Sequence, residues 1–250
     1  MLELARRDGL FGTIRIFQRL MDHTRVYMIG ESAQTMVNGE GVSVFGYVHA
    51  AKLLLKDAGT VLMIGGGGGS LATMLARTGK AVTVVDIDPA SEELARRYFD
   101  LDHRVEWITA EAIGFIERHK KTYDGLVVDA CDAAGLVAPF NDPNVLIWLL
   151  LRACPTGSLI VNLARNDDVP THGVQLATHL VKCGFSATLY SSEEGEEGNE
   201  ILHVKVTGNT ETLVPTDLNR RSAEARTYLT SLLAITPVRE SVAETETGLS

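Results

Sequence analysis

Five consecutive glycines, Gly65 to Gly69, stand between the apolar run Val61–Ile64 and the segment Ser70-Leu71-Ala72. A backbone without Cβ atoms can pass close under a ligand, and a helix starting straight after it offers unpaired N–H groups. Gly65, Gly66, Gly67 and Gly69 are therefore expected to bind a cofactor; the alternative is a flexible turn, at a cost in chain entropy that needs a reason. Asp86 ends the next apolar run, 86 − 65 = 21 residues after Gly65. An acidic residue about 20 residues beyond such glycines can accept both hydroxyls of a ribose. Asp86 and its neighbour Ile87 are read as cofactor-binding; the alternative, a helix cap, suits Asp88 better because it precedes Pro89. Glu111, followed by Ala112, is placed to accept a hydrogen bond from an adenine amino group, or else serves only the first turn of a helix. Asp129 and Asp132 close the fourth run. Two carboxylates in one pocket raise each other's pKa and attract cations, so a reactive centre is expected beside Asp129, against the alternative of a turn cap. Tyr47 and His49 precede the first run and are candidates for lining the substrate pocket, or are merely structural.

The segments that must position these residues alternate in type. Residues 1–46 carry no helical periodicity beyond the first turn. Short β-rich stretches at Thr13–Arg19, Arg25–Ile29 and Ser32–Val37, the last closed by Asn38-Gly39, predict a small meander. Tyr47–Lys56 has Val48, Ala51, Leu54 and Leu55 on one helical face, with Gly59 as its left-handed stop. Strands are then expected at 61–64, 81–85, 105–108, 125–128 and 159–163, and helices at 71–77, 89–98, 112–118, 143–153 and 173–182. Phe185–Tyr190 and Ile201–Val206 form a closing hairpin across an acidic turn. The pattern predicts an α/β fold: a doubly wound, mostly parallel seven-stranded sheet with an antiparallel C-terminal hairpin, behind the N-terminal meander. The expected division is a β-domain over 1–46, a nucleoside-binding domain over 47–210, and a C-terminal helix near Ala223–Leu233 with a tail over 211–250.

The chain has 250 residues, 45% of them hydrophobic, which suffices for a full core. Its net charge is 23 − 32 = −9. An acidic balance argues against nucleic acid, which needs a cationic face, and is compatible with a cationic small molecule. No apolar run approaches the roughly 20 residues of a membrane span, and no secretory signal opens the chain. Cys131, Cys154 and Cys183 show no metal-like spacing, and neither do the histidines; no metal site and a cytoplasmic location are expected. Neither a phosphate-binding Gly-x-x-x-x-Gly-Lys loop nor a Gly-x-Ser-x-Gly elbow occurs.

The glycine loop is followed in order by Val-Val-Asp-Ile-Asp-Pro (84–89), Ala-Arg-Arg-Tyr-Phe (95–99), Arg-Val-Glu-x-Ile-x-x-Glu-Ala-x-x-Phe-Ile (104–116) and Tyr-Asp-Gly-Leu-Val-Val-Asp-Ala-Cys-Asp (123–132). This series resembles the spermidine synthase family over roughly residues 12–206. The resemblance implies the class I S-adenosylmethionine methyltransferase fold behind a small β-domain, and often a homodimer. It implies that Asp86 holds the nucleoside ribose, that Glu111 stands near the adenine, that Asp129 accepts a proton and that Asp132 binds an amine substrate. Gln34 and Tyr47 resemble residues bordering the nucleoside and amine sites. Gly68 stands where the family carries an aspartate, Ala133 replaces a proline, and His49 is displaced by one place. These departures, with Val161-Asn162-Leu163, place the chain nearer the orphan spermidine-synthase-like branch than the true synthases. The implied function is transfer from S-adenosylmethionine or its decarboxylated form to a small cationic acceptor, without a metal. Alternatives are an ordinary methyltransferase and a non-catalytic nucleoside-binding protein; a nicotinamide oxidoreductase is disfavoured because Ser70 replaces the third glycine.

Overall fold

The computed structural model describes residues 1–132, 135–164, 172–190 and 199–206. The predicted helix near Ala223–Leu233 lies outside them. The chain opens with β1 (Leu2–Gly9), β2 (Gly12–Gln18), β3 (Arg25–Ile29) and β4 (Ser32–Val37), an antiparallel sheet in sequence order. The sequence pattern predicts three of these strands; β1 is the addition. Its sequence, Leu-Glu-Leu-Ala-Arg-Arg-Asp-Gly, lacks apolar alternation because it is a mostly exposed edge, held by its ladder to β2.

Next come α1 (Gly46–Leu54), β5 (Thr60–Ile64), α2 (Ser70–Ala76), β6 (Ala81–Asp86), α3 (Pro89–Tyr98), β7 (Glu106–Thr109), α4 (Ala112–Arg118) and β8 (Gly125–Val128). The chain continues with β9 (Cys131–Asp132), β10 (Gly135–Leu136), α5 (Pro143–Ala153), β11 (Ser158–Ala164), α6 (His172–Lys182), β12 (Ser186–Tyr190) and β13 (Asn199–Lys205). α1 ends at Leu54, well before Gly59, whose backbone is not left-handed. The main sheet has the order β12-β13-β11-β8-β5-β6-β7. Its five strands from β11 to β7 run parallel, and β13 pairs antiparallel with both β11 and β12. Chain order reverses between β5 and β8, so a ligand crevice is expected beyond their carboxyl ends.

The central strands are continuously apolar because helices cover both faces. Val61, Met63, Val82, Val84 and Val127 face the layer containing α1 and α2, while Leu62, Ile64, Leu126 and Val128 face that of α4 and α5. The meander is docked by a third cluster. Ile14, Ile16, Tyr27 and Val37 pack on Leu94 and Phe99, at α3 and its end. Asp88 fastens that junction. It caps α3 through the Ala90 N–H at 2.9 Å and also accepts the N–H of Leu10, in the β1–β2 turn, at 2.8 Å. No helix among the described residues is long and apolar enough to cross a membrane.

Candidate active site at the sheet's switch point

The glycine run is wedged between parts of the protein itself. A Cβ on Gly65, whose φ is +83°, would lie 2.3 Å from the Asp129 carbonyl oxygen. One on Gly66 would lie 2.3 Å from the Trp107 ring, and one on Gly69 2.7 Å from Leu101 Cδ1. Close intramolecular packing therefore accounts for three of the five glycines, where the sequence alone points to ligand approach. Gly67 and Gly68 meet the meander: the Thr35 hydroxyl accepts the Gly68 N–H at 2.9 Å. A Cβ on Gly68 would press on Thr35 and Phe99 at 2.9–3.0 Å, and Gly68 is not among the residues lining the cavity described below. The space beside position 68 is already filled by protein.

Asp86, at the carboxyl end of β6, underpins the loop. Its Oδ2 accepts the Gly66 N–H at 2.8 Å, its Oδ1 accepts the Asp88 N–H at 2.9 Å, and the Gly67 N–H adds a further bond. Burial pushes its carboxyl above the usual range, and these backbone donors oppose that shift. Of about four acceptor positions on a carboxylate, three are occupied by backbone N–H groups. Ile87 beside it is 43% exposed. Glu111 is the N-cap of α4, its two oxygens each accepting a backbone N–H at 2.7 Å, from Ile113 and Gly114. Ala112 is buried behind it.

Asp129 follows β8, directly across the switch point from Gly65. Asn162 of β11 donates to its Oδ1 at 2.7 Å, and the Tyr47 side chain of α1 bonds to it as well. Burial pushes the Asp129 carboxyl up to about 6, the Asn162 bond opposes this, the negative field of Asp86 adds to the rise, and Tyr47 opposes it. Cys131, two residues on, is pushed up to about 12 by burial and by the charge of Asp129, so its thiol stays protonated.

A cavity of about 240 Å³ opens between β4 and the ends of β8 and β11. Gln34, Tyr47, Gly66, Gly67, Asp129 and Asp132 all line it, and its described lining contains no lysine, arginine or histidine. Phe45 lies on the same wall, its ring stacked on Tyr47 at 5.8 Å between centroids. The structure does not bring His49 to this cavity. That ring is 2% exposed within α1 and bonded to the Ser43 carbonyl at 2.8 Å. Gly65, Gly69, Asp86, Ile87, Glu111 and Ala112 lie outside the cavity lining, along the carboxyl ends of β5, β6 and β7. Asn162, Asn199 and Thr35 line the cavity, and sequence reasoning assigns them no role in it. Asn162 left one signal: a lone amide in the apolar strand Ser-Leu-Ile-Val-Asn-Leu-Ala. No group of three or more metal-binding side chains occurs among the described residues.

Residues 47–166 match the family model described as "Spermine/spermidine synthase domain". The eEF1A lysine and N-terminal methyltransferase homolog of Drosophila pseudoobscura pseudoobscura is 30% identical over 156 residues, 57% of this chain and 23% of that protein. The polyamine aminopropyltransferase of Thermoanaerobacter sp. (strain X514) is 29% identical over 119 residues, 44% of this chain and 43% of that one. The chain thus spans less than half the length of either curated relative. A probable spermidine synthase from Corynebacterium glutamicum ATCC 13032 superposes with a TM-score of 0.73 at 18% identity, over 92% of this chain and 86% of that one. The fold is therefore the methyltransferase-like α/β fold with an N-terminal meander.

Proposed function

We propose that this chain, whose residues 47–166 match the spermine/spermidine synthase domain model, is a transferase that moves an alkyl group from an S-adenosyl sulfonium donor to an amine. One observation carries the reading: a half-buried carboxylate, Asp129, stands at the switch point of the sheet in a cavity whose only described charged lining groups are Asp129 and Asp132. Such a cavity favours a cationic centre. The named relatives act on nitrogen, a lysine or chain terminus in one case and a polyamine in the other.

In this reading the adenosine lies along the ends of β5, β6 and β7. Asp86 takes a ribose hydroxyl at its remaining acceptor position, Ile87 and Ala112 border the adenine, and Glu111 stands near the amino group. The loop backbone at Gly66 and Gly67 then directs the sulfonium into the cavity. There the amine lone pair attacks the carbon beside sulfur, the carbon–sulfur bond breaks, and the neutral thioether leaves. The proton released from nitrogen passes to the Asp129 carboxylate. A carboxyl titrating at about 6 is mostly ionised at neutral pH, yet far more basic than an ordinary aspartate, which suits a proton acceptor. Holding nitrogen, carbon and sulfur in line supplies the larger part of the rate. Asp132 and Gln34 orient the acceptor, and the Phe45–Tyr47 pair suits an apolar body attached to one amine. A diamine such as putrescine fits less well, because no third carboxylate for its far end lies among the described lining residues.

Calorimetric titration tests this with S-adenosylmethionine, its decarboxylated form, methylthioadenosine and NAD side by side. The adenosyl compounds are expected to bind and NAD is not; the better of the two sulfonium ligands identifies methyl or aminopropyl transfer. Absence of binding by all three adenosyl compounds would overturn the proposal.

A further inference from the structure

The amide of Asn162 is held at both ends. Its side-chain N–H donates to Asp129 Oδ1 at 2.7 Å, while its carbonyl oxygen accepts from the Asn199 side chain at 3.0 Å. An amide whose oxygen is engaged by a donor cannot turn over without losing both bonds, so the end facing Asp129 must be the donor. Asn162 is 5% exposed. The three residues sit on adjacent strands, at the end of β8, in β11 and at the start of β13, where Asn199 pairs with Ala164. The backbone carbonyl of Asn162 is also engaged, by the Cys131 thiol at 3.4 Å. A polar side chain in an otherwise apolar strand costs stability unless its bonds are satisfied. Here they are satisfied in a line that ends on the cavity's carboxylate.

We propose that Asn162, oriented by Asn199, is a positioning residue: it fixes the Asp129 carboxylate so that one oxygen is spent on the amide and the other is presented to the acceptor nitrogen. This rests on the reading of Asp129 as the proton acceptor. The neighbours of Asp129 make the role necessary. From β6 it faces Asp86, from β9 Asp132 and the protonated thiol of Cys131, and from α1 the Tyr47 hydroxyl. Every charge among these is negative and disfavours a second carboxylate. Among the described residues Asn162 and Tyr47 donate to it, and of the two Asn162 exerts the stronger opposition to the rise in its pKa.

The experiment is a carboxyl-carbon NMR titration of the full chain labelled at aspartate, with Asp129→Asn identifying the signal. Asn162→Leu is expected to raise the Asp129 midpoint by about one pH unit, the scale of losing a donor to a charged group. Asn199→Ala should raise it by less. With a turned-over amine, the acid limb of the kcat profile moves with the midpoint while KM for the donor stays within about twofold, since the nucleoside contacts are untouched. An unchanged midpoint in folded Asn162→Leu overturns the proposal, as does a fall in kcat with no movement of the limb. Should Asn162→Leu not fold, Asn162→Ser and Asn199→Ala decide the question by the same titration. Loss of turnover in every amine assay would count against the transferase reading alone, because the titration needs no substrate.

Discussion

Replacing Asp129 by asparagine should make the protein more stable at neutral pH. The carboxyl moves from an ordinary value of 3.8 to about 6 on folding. At about 1.4 kcal/mol per pH unit, the ionised side chain costs the folded state about 3 kcal/mol once the pH exceeds 6. The sign follows from proton counting. Between about 4 and about 6 the folded chain holds a proton that the unfolded chain has released, so stability falls as pH rises through that window and then levels off. An asparagine at this position does not titrate. The difference between variant and parent should therefore grow between pH 4 and pH 6 and stay level above it. Against this stands the amide's own N–H group, which faces the donor of Asn162; a buried donor lacking a partner costs about 1 kcal/mol or more. The net gain at pH 7.5 is then about 2 kcal/mol. The exposed Asp22 and the half-buried Asp102, whose carboxyls are lowered by their arginine partners, titrate alike in both proteins and cancel. Urea unfolding of both proteins at pH 4.5, 6.0 and 7.5 measures the difference. A variant no more stable than its parent at pH 7.5 would refute the claim that Asp129 is a carboxylate held in the fold at a cost.

Gly66→Ala places a methyl against the Trp107 ring and Val84 Cγ1, at 2.3 and 2.8 Å, and should lower stability by about 1–3 kcal/mol in thermal unfolding; Trp107→Leu in the same chain should recover part of that loss, and no loss would mean the loop is not wedged. Thr35→Val leaves the Gly68 N–H without its acceptor and should speed hydrogen exchange at that amide, with about 1–3 kcal/mol lost; unchanged exchange would show that the meander does not hold the loop. Asp86→Asn should weaken methylthioadenosine by about 1.5–3 kcal/mol in calorimetry, the scale for a hydrogen bond to a charged group, and equal affinity would remove Asp86 from the ribose site.

The middle of the main sheet was legible because β5 and β8 each hold a short unbroken run of Val, Leu, Ile or Met, residues 61–64 and 126–128, ended by glycine or aspartate. The Asp88-Pro89 start of α3 was equally plain, since a capping oxygen and a fixed φ are both local properties. What was missed depends on contacts between distant residues. β1 has no pattern of its own and is a strand because β2 pairs with it. The Thr35–Gly68 bond joins residues 33 apart, and the glycine run needs Trp107, Leu101 and Asp129 for its explanation. Asn162 acquires its place from β11 lying between β8 and β13, a neighbour relation that chain order does not give. His49 is close to Tyr47 in sequence, but two residues apart on a helix do not share a face, and only Tyr47 reaches the cavity.

The central claim is that an amine meets an adenosyl sulfonium beside Asp129. Its most direct measurement is mass-spectrometric: the parent and Asp129→Asn are each incubated with S-adenosylmethionine or its decarboxylated form and a panel of monoamines, diamines and peptide amines. The parent should release the demethylated or dealkylated nucleoside thioether in step with one alkylated amine. Asp129→Asn should lose at least about a hundredfold in that rate, the low end of what a positioned base supplies, while its methylthioadenosine affinity stays within about threefold. Alkylation at the parental rate by Asp129→Asn would contradict the account.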